Sequence, residues 1–243
     1  MLEVRNIKKS FAGTAIIEGL NLNVKKGEFV SVMGISGSGK TTLFNIIAGL
    51  MMPDHGQVFI GGRDITGTTG HLSYMQQDDL LFPWKTVLDN VSIPLILKGE
   101  KKETAREKAR GFFELFGIAG YEDNYPDTLS GGMRQRAALL RTYLFSSDYV
   151  LLDEPFARLD AITKNKMRMW LSEVFKKLEC GMLFITHDVD EALLLSDRIY
   201  ILSGRPAAVS REIPTGESRS EDFEVITTPQ FNEKKREIIR LLG

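Results

Sequence analysis

The sequence predicts an α/β protein built on a mostly parallel sheet, and three observations carry that reading. Apolar, β-rich runs recur at 29–33 and in "YVLLDEP", "MLFITHD" and "RIYIL"; each is continuous, as strands buried on both faces are. Helical spacing of apolar residues fills the intervals at about 130–145 and 162–178. A bare loop, "GISGSGKTT", joins the first buried run to an apolar helix. Strands alternating with helices imply a parallel sheet covered on both sides.

The elements follow in order. Residues 2–7 and 20–24 alternate apolar and polar side chains, the pattern of half-buried strands, and "KKG" at 25–27 is a turn. After the glycine loop, "TTLFNIIAGL" has helical spacing and stops at Gly49, with Pro53 just beyond. "GQVFIGGRDI" gives a strand and a turn. The run "KGEKKETAREKAR" reads as a solvated helix face ahead of an aromatic "GFFELF". "SGRPAAVSREI" suggests a hairpin, and "TTPQFNEKKREIIRLLG" an amphipathic C-terminal helix. Residues 1–243 are expected to form one domain, with helices at about 87–147 inserted into the α/β core.

Composition narrows the function. With 31 basic and 32 acidic residues the formal net charge is −1, so no global field favours nucleic acid, and no nucleic-acid partner is expected. Cys180 is the only cysteine, which excludes an intramolecular disulfide framework and a cysteine zinc cluster and fits a reducing compartment. "MLEVRNIKKSF" lacks the apolar centre of a signal peptide, and no stretch approaches the roughly 20 apolar residues that cross a bilayer. Any service to a membrane is expected from the water side.

Three motifs carry chemistry. From Gly34 to Thr41 the chain matches G-x-x-x-x-G-K-[ST], with Ser36, Gly37, Ser38 and Gly39 inside it and Thr42 just after. Glycines let successive N–H groups turn inward around a phosphate chain, and the following helix adds its positive end. Lys40 supplies a cation to the β and γ phosphates, and Thr41 a hydroxyl to Mg²⁺. A phosphate loop needs an acidic partner, and "YVLLDEP" ends an apolar strand in Asp153, placed to hold the metal, and Glu154, placed to take a proton from water. Third, in "LSGGMRQRAALL", Ser130 is a good helix N-cap, but Gly131 and Gly132 cost helix stability; something must approach that backbone closely.

These motifs, in this order, resemble the nucleotide-binding subunit of an ABC (ATP-binding cassette) transporter, over essentially the whole chain. "LSGGMRQR" resembles that family's signature. The resemblance implies a phosphate-loop NTPase fold: a RecA-like, mostly parallel core, an N-terminal antiparallel β subdomain and an inserted helical signature subdomain. It implies ATP and Mg²⁺ as ligands and a pair of chains, most simply two identical ones, with Ser130, Gly131 and Gly132 on the γ-phosphate held by the partner. Residue by residue, Phe11 resembles the adenine-stacking aromatic, a strand-end core aromatic being its equal alternative. Gln77 resembles the glutamine that senses the metal and the attacking water; its neighbour Gln76 is a one-residue alternative, and the spacing to Pro83 favours Gln77. Asp160 in "FARLD" resembles the D-loop aspartate, and His187 in "FITHD" the switch histidine. Met133 stands where the family usually has glutamine, and Arg158 where a small residue is common.

"LLFPWKTVLDNV" resembles importers of nitrate, sulfonates, taurine and pyrimidine precursors. On that reading residues 80–84 contact a separate membrane permease, the subunit lies at the cytoplasmic face of the membrane, and an extracytoplasmic solute-binding protein completes the system. An ABC subunit for another solute or for export is the alternative. A soluble repair ATPase would need long coiled-coil arms that this sequence lacks.

Overall fold

The structure is a computed structural model and describes residues 1–146, 148–216 and 223–242. Two sheets organise it. The first contains β1 (Leu2–Phe11), β2 (Thr14–Val24), β4 (His55–Ile60) and β5 (Arg63–Asp64) in the antiparallel order β2-β1-β4-β5. The second has six strands in the order β10-β9-β3-β8-β7-β6: β3 (Phe29–Gly34), β6 (Ser73–Met75), β7 (Tyr149–Asp153), β8 (Gly181–Ile185), β9 (Arg198–Ser203) and β10 (Ala208–Pro214). Its strands pair in parallel except for the β9–β10 hairpin. The helices are α1 (Lys40–Ile47), α2 (Val87–Leu97), α3 (Lys102–Arg110), α4 (Gly131–Phe145), α5 (Ala161–Lys177), α6 (Val189–Leu195) and α7 (Pro229–Leu242).

The continuous apolar strands are explained by what covers each face. Phe29, Met33, Val150, Leu152, Met182, Phe184, Ile199 and Ile201 face one core, shared with residues of α2 to α7. Val30, Val32, Leu151, Leu183, Ile185, Tyr200 and Leu202 face another, shared with α1 and the antiparallel sheet. Successive side chains of a strand point to opposite faces, so burial on both sides leaves no polar alternation.

Most expected elements are present. β1 and β2 run longer than residues 2–7 and 20–24, reaching a turn at Ala12 and Gly13. The charge run contains α3, which buries only Ala105 and Ala109, and Phe113 and Phe116 behind it enter the core. β6 and α6 had no separate sequence signal; one is three residues long and the other seven, short for periodicity to register. Cys180 is fully buried between α5 and β8. Residues 147 and 243, the end of the expected insertion and of the C-terminal segment, lie outside the described residues. Among the described residues no helix is long and apolar enough to cross a membrane.

Candidate active site and nucleotide cleft

At the C-terminal end of β3 the chain turns through the glycine loop into α1. Gly39, the N-cap of α1, has φ +80°, and no side chain caps the helix, so its first N–H groups are left for another acceptor. A β-carbon at Gly39 would meet the Ile16 side chain at 2.9 Å, so sterics and backbone conformation both demand glycine. Lys40 bends back over the loop: its Nζ donates to the carbonyls of Gly34 and Ile35, each at 2.9 Å. Burial lowers the Lys40 pKa, and the charges of Glu154 and Asp153 oppose that.

This loop forms one wall of a cleft of about 550 Å³ lined by Phe11, Ile16, Ser36 to Thr42, Asp153, Glu154, Ile185 and His187. Phe11, half-exposed, lies at its rim with Lys9 Nζ 5.5 Å from the ring centroid. Asp153, ending β7, is buried; the Tyr74 hydroxyl donates to its Oδ2 at 3.2 Å. Burial raises the Asp153 pKa, against the pull of hydrogen bonds from Tyr74 and Thr41. Glu154 follows in the left-handed region at φ +46°, its N–H bound to the Ile185 carbonyl at 3.0 Å. A non-glycine residue there is strained, and such strain concentrates at functional sites. The turn aims the carboxylate at His187, whose Nδ1 is 3.1 Å from Glu154 Oε2, a separation at which an Nδ1–H donates to the carboxylate.

The turn carrying His187 is held from behind. Asp188 caps α6, accepting from Asp190 N and Glu191 N. Arg168 of α5 donates to Asp188 at 2.5 Å and to the buried Glu191 at 3.1 Å, and Lys164 pairs with both. Thr186 donates to Glu191 as well.

The other candidates lie elsewhere. Ser130 is exposed and caps α4, accepting from Met133 N at 3.3 Å. The bare backbone beside it has a tenant within this chain: a β-carbon on Gly131 would sit 3.3 Å from Leu159, and one on Gly132 3.1 Å from Thr163. Asp160 caps α5, accepting from Ile162 N and Thr163 N. None of Ser130, Gly131, Gly132 and Asp160 lines the cleft. Nor does Gln77, which is exposed in the loop after β6; its neighbour Gln76 lines a second, largely apolar cavity of about 300 Å³ with Leu50, Tyr74, Leu80 and Pro94. Leu80 is exposed, as are Phe82 and Trp84 further along the same loop, Trp84 by 70%. Arg158 pairs with Asp78, and Arg141 of α4 donates to the Leu80 carbonyl at 2.7 Å, so D-loop and signature helix both grip the loop after Gln77. Tyr74 and the Arg168 cluster were not among the sequence candidates: a lone tyrosine in a short strand and a helical arginine carry no motif.

Comparison with known proteins agrees with this architecture. The ABC transporter family model matches residues 17–157. A formylaminopyrimidine import ATP-binding protein of Halalkalibacterium halodurans is 47% identical over 80% of this chain and 76% of its own length. A nitrate import ATP-binding protein of Synechocystis sp. is 36% identical over 99% of this chain and 94% of its own length. A taurine import ATP-binding protein of Pseudomonas aeruginosa is 41% identical over 84% of this chain and 78% of its own length. Among solved structures, a dimeric post-hydrolysis ATP-binding cassette bound to ADP and Pi matches with TM-score 0.75 and 30% identity, covering 88% of this chain and 99% of that one. With the glycine loop, the acidic strand end and the histidine turn meeting in one cleft, the chain belongs to the ABC transporter family and is one of its ATP-binding, ATP-hydrolysing cassettes.

Proposed function

We propose that this cassette drives an importer of a small polar solute of the nitrate, sulfonate or pyrimidine-precursor kind, working in pairs at the cytoplasmic face of a membrane beside a separate permease and an extracytoplasmic solute-binding protein. The kinship with import ATP-binding proteins for those three solute types supports the solute class. The observation that carries the catalytic reading is the convergence of Lys40, Thr41, Asp153, Glu154 and His187 on one cleft.

In this reading residues 34–42 bind the ATP phosphates through loop N–H groups and the end of α1, and Lys40 exchanges its loop carbonyls for the β and γ phosphates. The Thr41 hydroxyl and the Asp153 carboxylate are hard oxygen donors linked to one another, a set that fits Mg²⁺. When bound, Mg²⁺ neutralises charge that develops on the phosphate oxygens. Glu154 accepts the proton of the attacking water, His187 steadies the γ-phosphate beside it, Phe11 stacks on the adenine, and Gln77 enters the site on closure. Ser130, Gly131, Gly132 and Asp160, remote from the chain's own cleft, act on the nucleotide held by the partner, so that ATP binding closes the pair and hydrolysis opens it. The whole of 1–243 then acts as one unit, with the helices at 87–147 as its moving part and residues 80–84 as its permease contact.

The test is Glu154→Gln. It is expected to bind Mg-ATP as the parent does, to hydrolyse it about 10²–10⁴-fold more slowly and to migrate as a dimer with Mg-ATP on size-exclusion chromatography. Near-parental turnover removes Glu154 from the role of base.

A further inference from the structure

Tyr74 lines the second cavity and also holds a carboxylate of the nucleotide cleft. Its ring lines the second cavity, with Leu72 and Met75 before and after it in sequence, and packs edge-on against Phe44 of α1 at a centroid separation of 5.9 Å. Its hydroxyl reaches the other way, donating to Asp153 Oδ2 at 3.2 Å. β6 runs parallel to β7 with Tyr74 opposite Leu151, two residues before Asp153, so the strand pairing itself sets the reach. Burial and the neighbouring negative charge both raise the Tyr74 pKa, which keeps the group a neutral donor.

A buried carboxylate has two oxygens and several lone-pair directions, and an unsatisfied one rotates. With one oxygen fixed by a rigid phenol, the other is left for the Thr41 side and the cleft. We propose that Tyr74 is a positioning residue: it holds Asp153 in the rotamer that can ligate Mg²⁺, and it ties that carboxylate to the wall of the second cavity. The inference rests on the reading of Asp153 as metal ligand given above.

Tyr74→Phe tests it, because the ring and its packing stay while the hydroxyl goes. Binding of a fluorescent, non-hydrolysable ATP analogue to the purified chain is titrated with Mg²⁺ and, separately, measured in EDTA. The hydroxyl is a donor to a charged acceptor, so the variant is expected to need about tenfold more Mg²⁺ for half-maximal tightening, with metal-free affinity unchanged. In an Asp153→Asn background the same replacement is expected to change nothing further, which separates loss of positioning from general loosening of the fold. Unchanged Mg²⁺ dependence in folded Tyr74→Phe, or equal effects of the replacement in both backgrounds, overturns the role of Tyr74. If the parent chain itself shows no Mg²⁺-dependent binding, what falls is the metal reading and not the hydrogen bond.

Discussion

At the scale of single residues, Glu154 shows how a side chain and its backbone are selected for different reasons. The sequence reading identifies its carboxylate from its place after an apolar strand, but cannot see that the turn puts φ at +46°, since dihedral strain leaves no trace in residue type. A left-handed conformation costs a non-glycine residue about 1–2 kcal/mol. Glu154→Gly is therefore expected to melt at a higher temperature than Glu154→Gln, by calorimetry on both proteins, while both lose hydrolysis. Equal melting points would mean that the turn is not strained. Lys40 and Thr41 were legible because their motif is a local one, whereas Tyr74 meets Asp153 only through strand pairing across 79 positions. The glycines of the signature were read as room for a ligand; in the chain itself that room is partly taken by Leu159 and Thr163.

Among elements, the bond between α5 and α6 decides where His187 sits. Arg168 and Lys164 face Asp188 and Glu191; Arg168 and Glu191 are buried, and the loss of one partner of a buried pair typically costs about 3–5 kcal/mol. Arg168→Met is expected to lose about 3 kcal/mol of unfolding free energy in urea at neutral pH, where Lys164 still serves both acids. The sign with pH follows from the shifts. Burial works to raise the Asp188 pKa, but Arg168 and Lys164 outweigh it and the net shift is downward, so that carboxylate stabilises the fold above its unfolded pKa and ceases to do so as pH falls through its lower native value. Burial works to lower the Lys164 pKa, but Glu191 and Asp188 outweigh it and the net shift is upward, so that its contribution is present below its unfolded pKa and is lost as pH rises through its native value. The gap between parent and Arg168→Met should thus narrow on acidification below about pH 4. A constant gap from pH 7 to pH 3 would mean that Arg168 acts through packing alone. None of this was legible from sequence: the strands and long helices announce themselves by period, but the contact of α5 with α6 depends on how they lie on the sheet.

For the molecule as a whole, the fold class was readable because strands buried on both faces cannot hide their composition. What joins the two cavities was not, since it depends on three-dimensional neighbours. Trp84, 70% exposed, makes no large contribution to the core, so Trp84→Ala is expected to fold and to keep the ATPase of the isolated chain while abolishing stimulation of transport in a reconstituted permease complex. Retained transport would separate residues 80–84 from the permease. The Lys40 ammonium, resting on the carbonyls of Gly34 and Ile35, has one further consequence. Those two carbonyls are neutral acceptors, so a phosphate chain takes over the ammonium by offering it charged oxygens, which bind it more strongly. The exchange of two neutral acceptors for several anionic oxygens is expected to favour a polyphosphate over a single small anion.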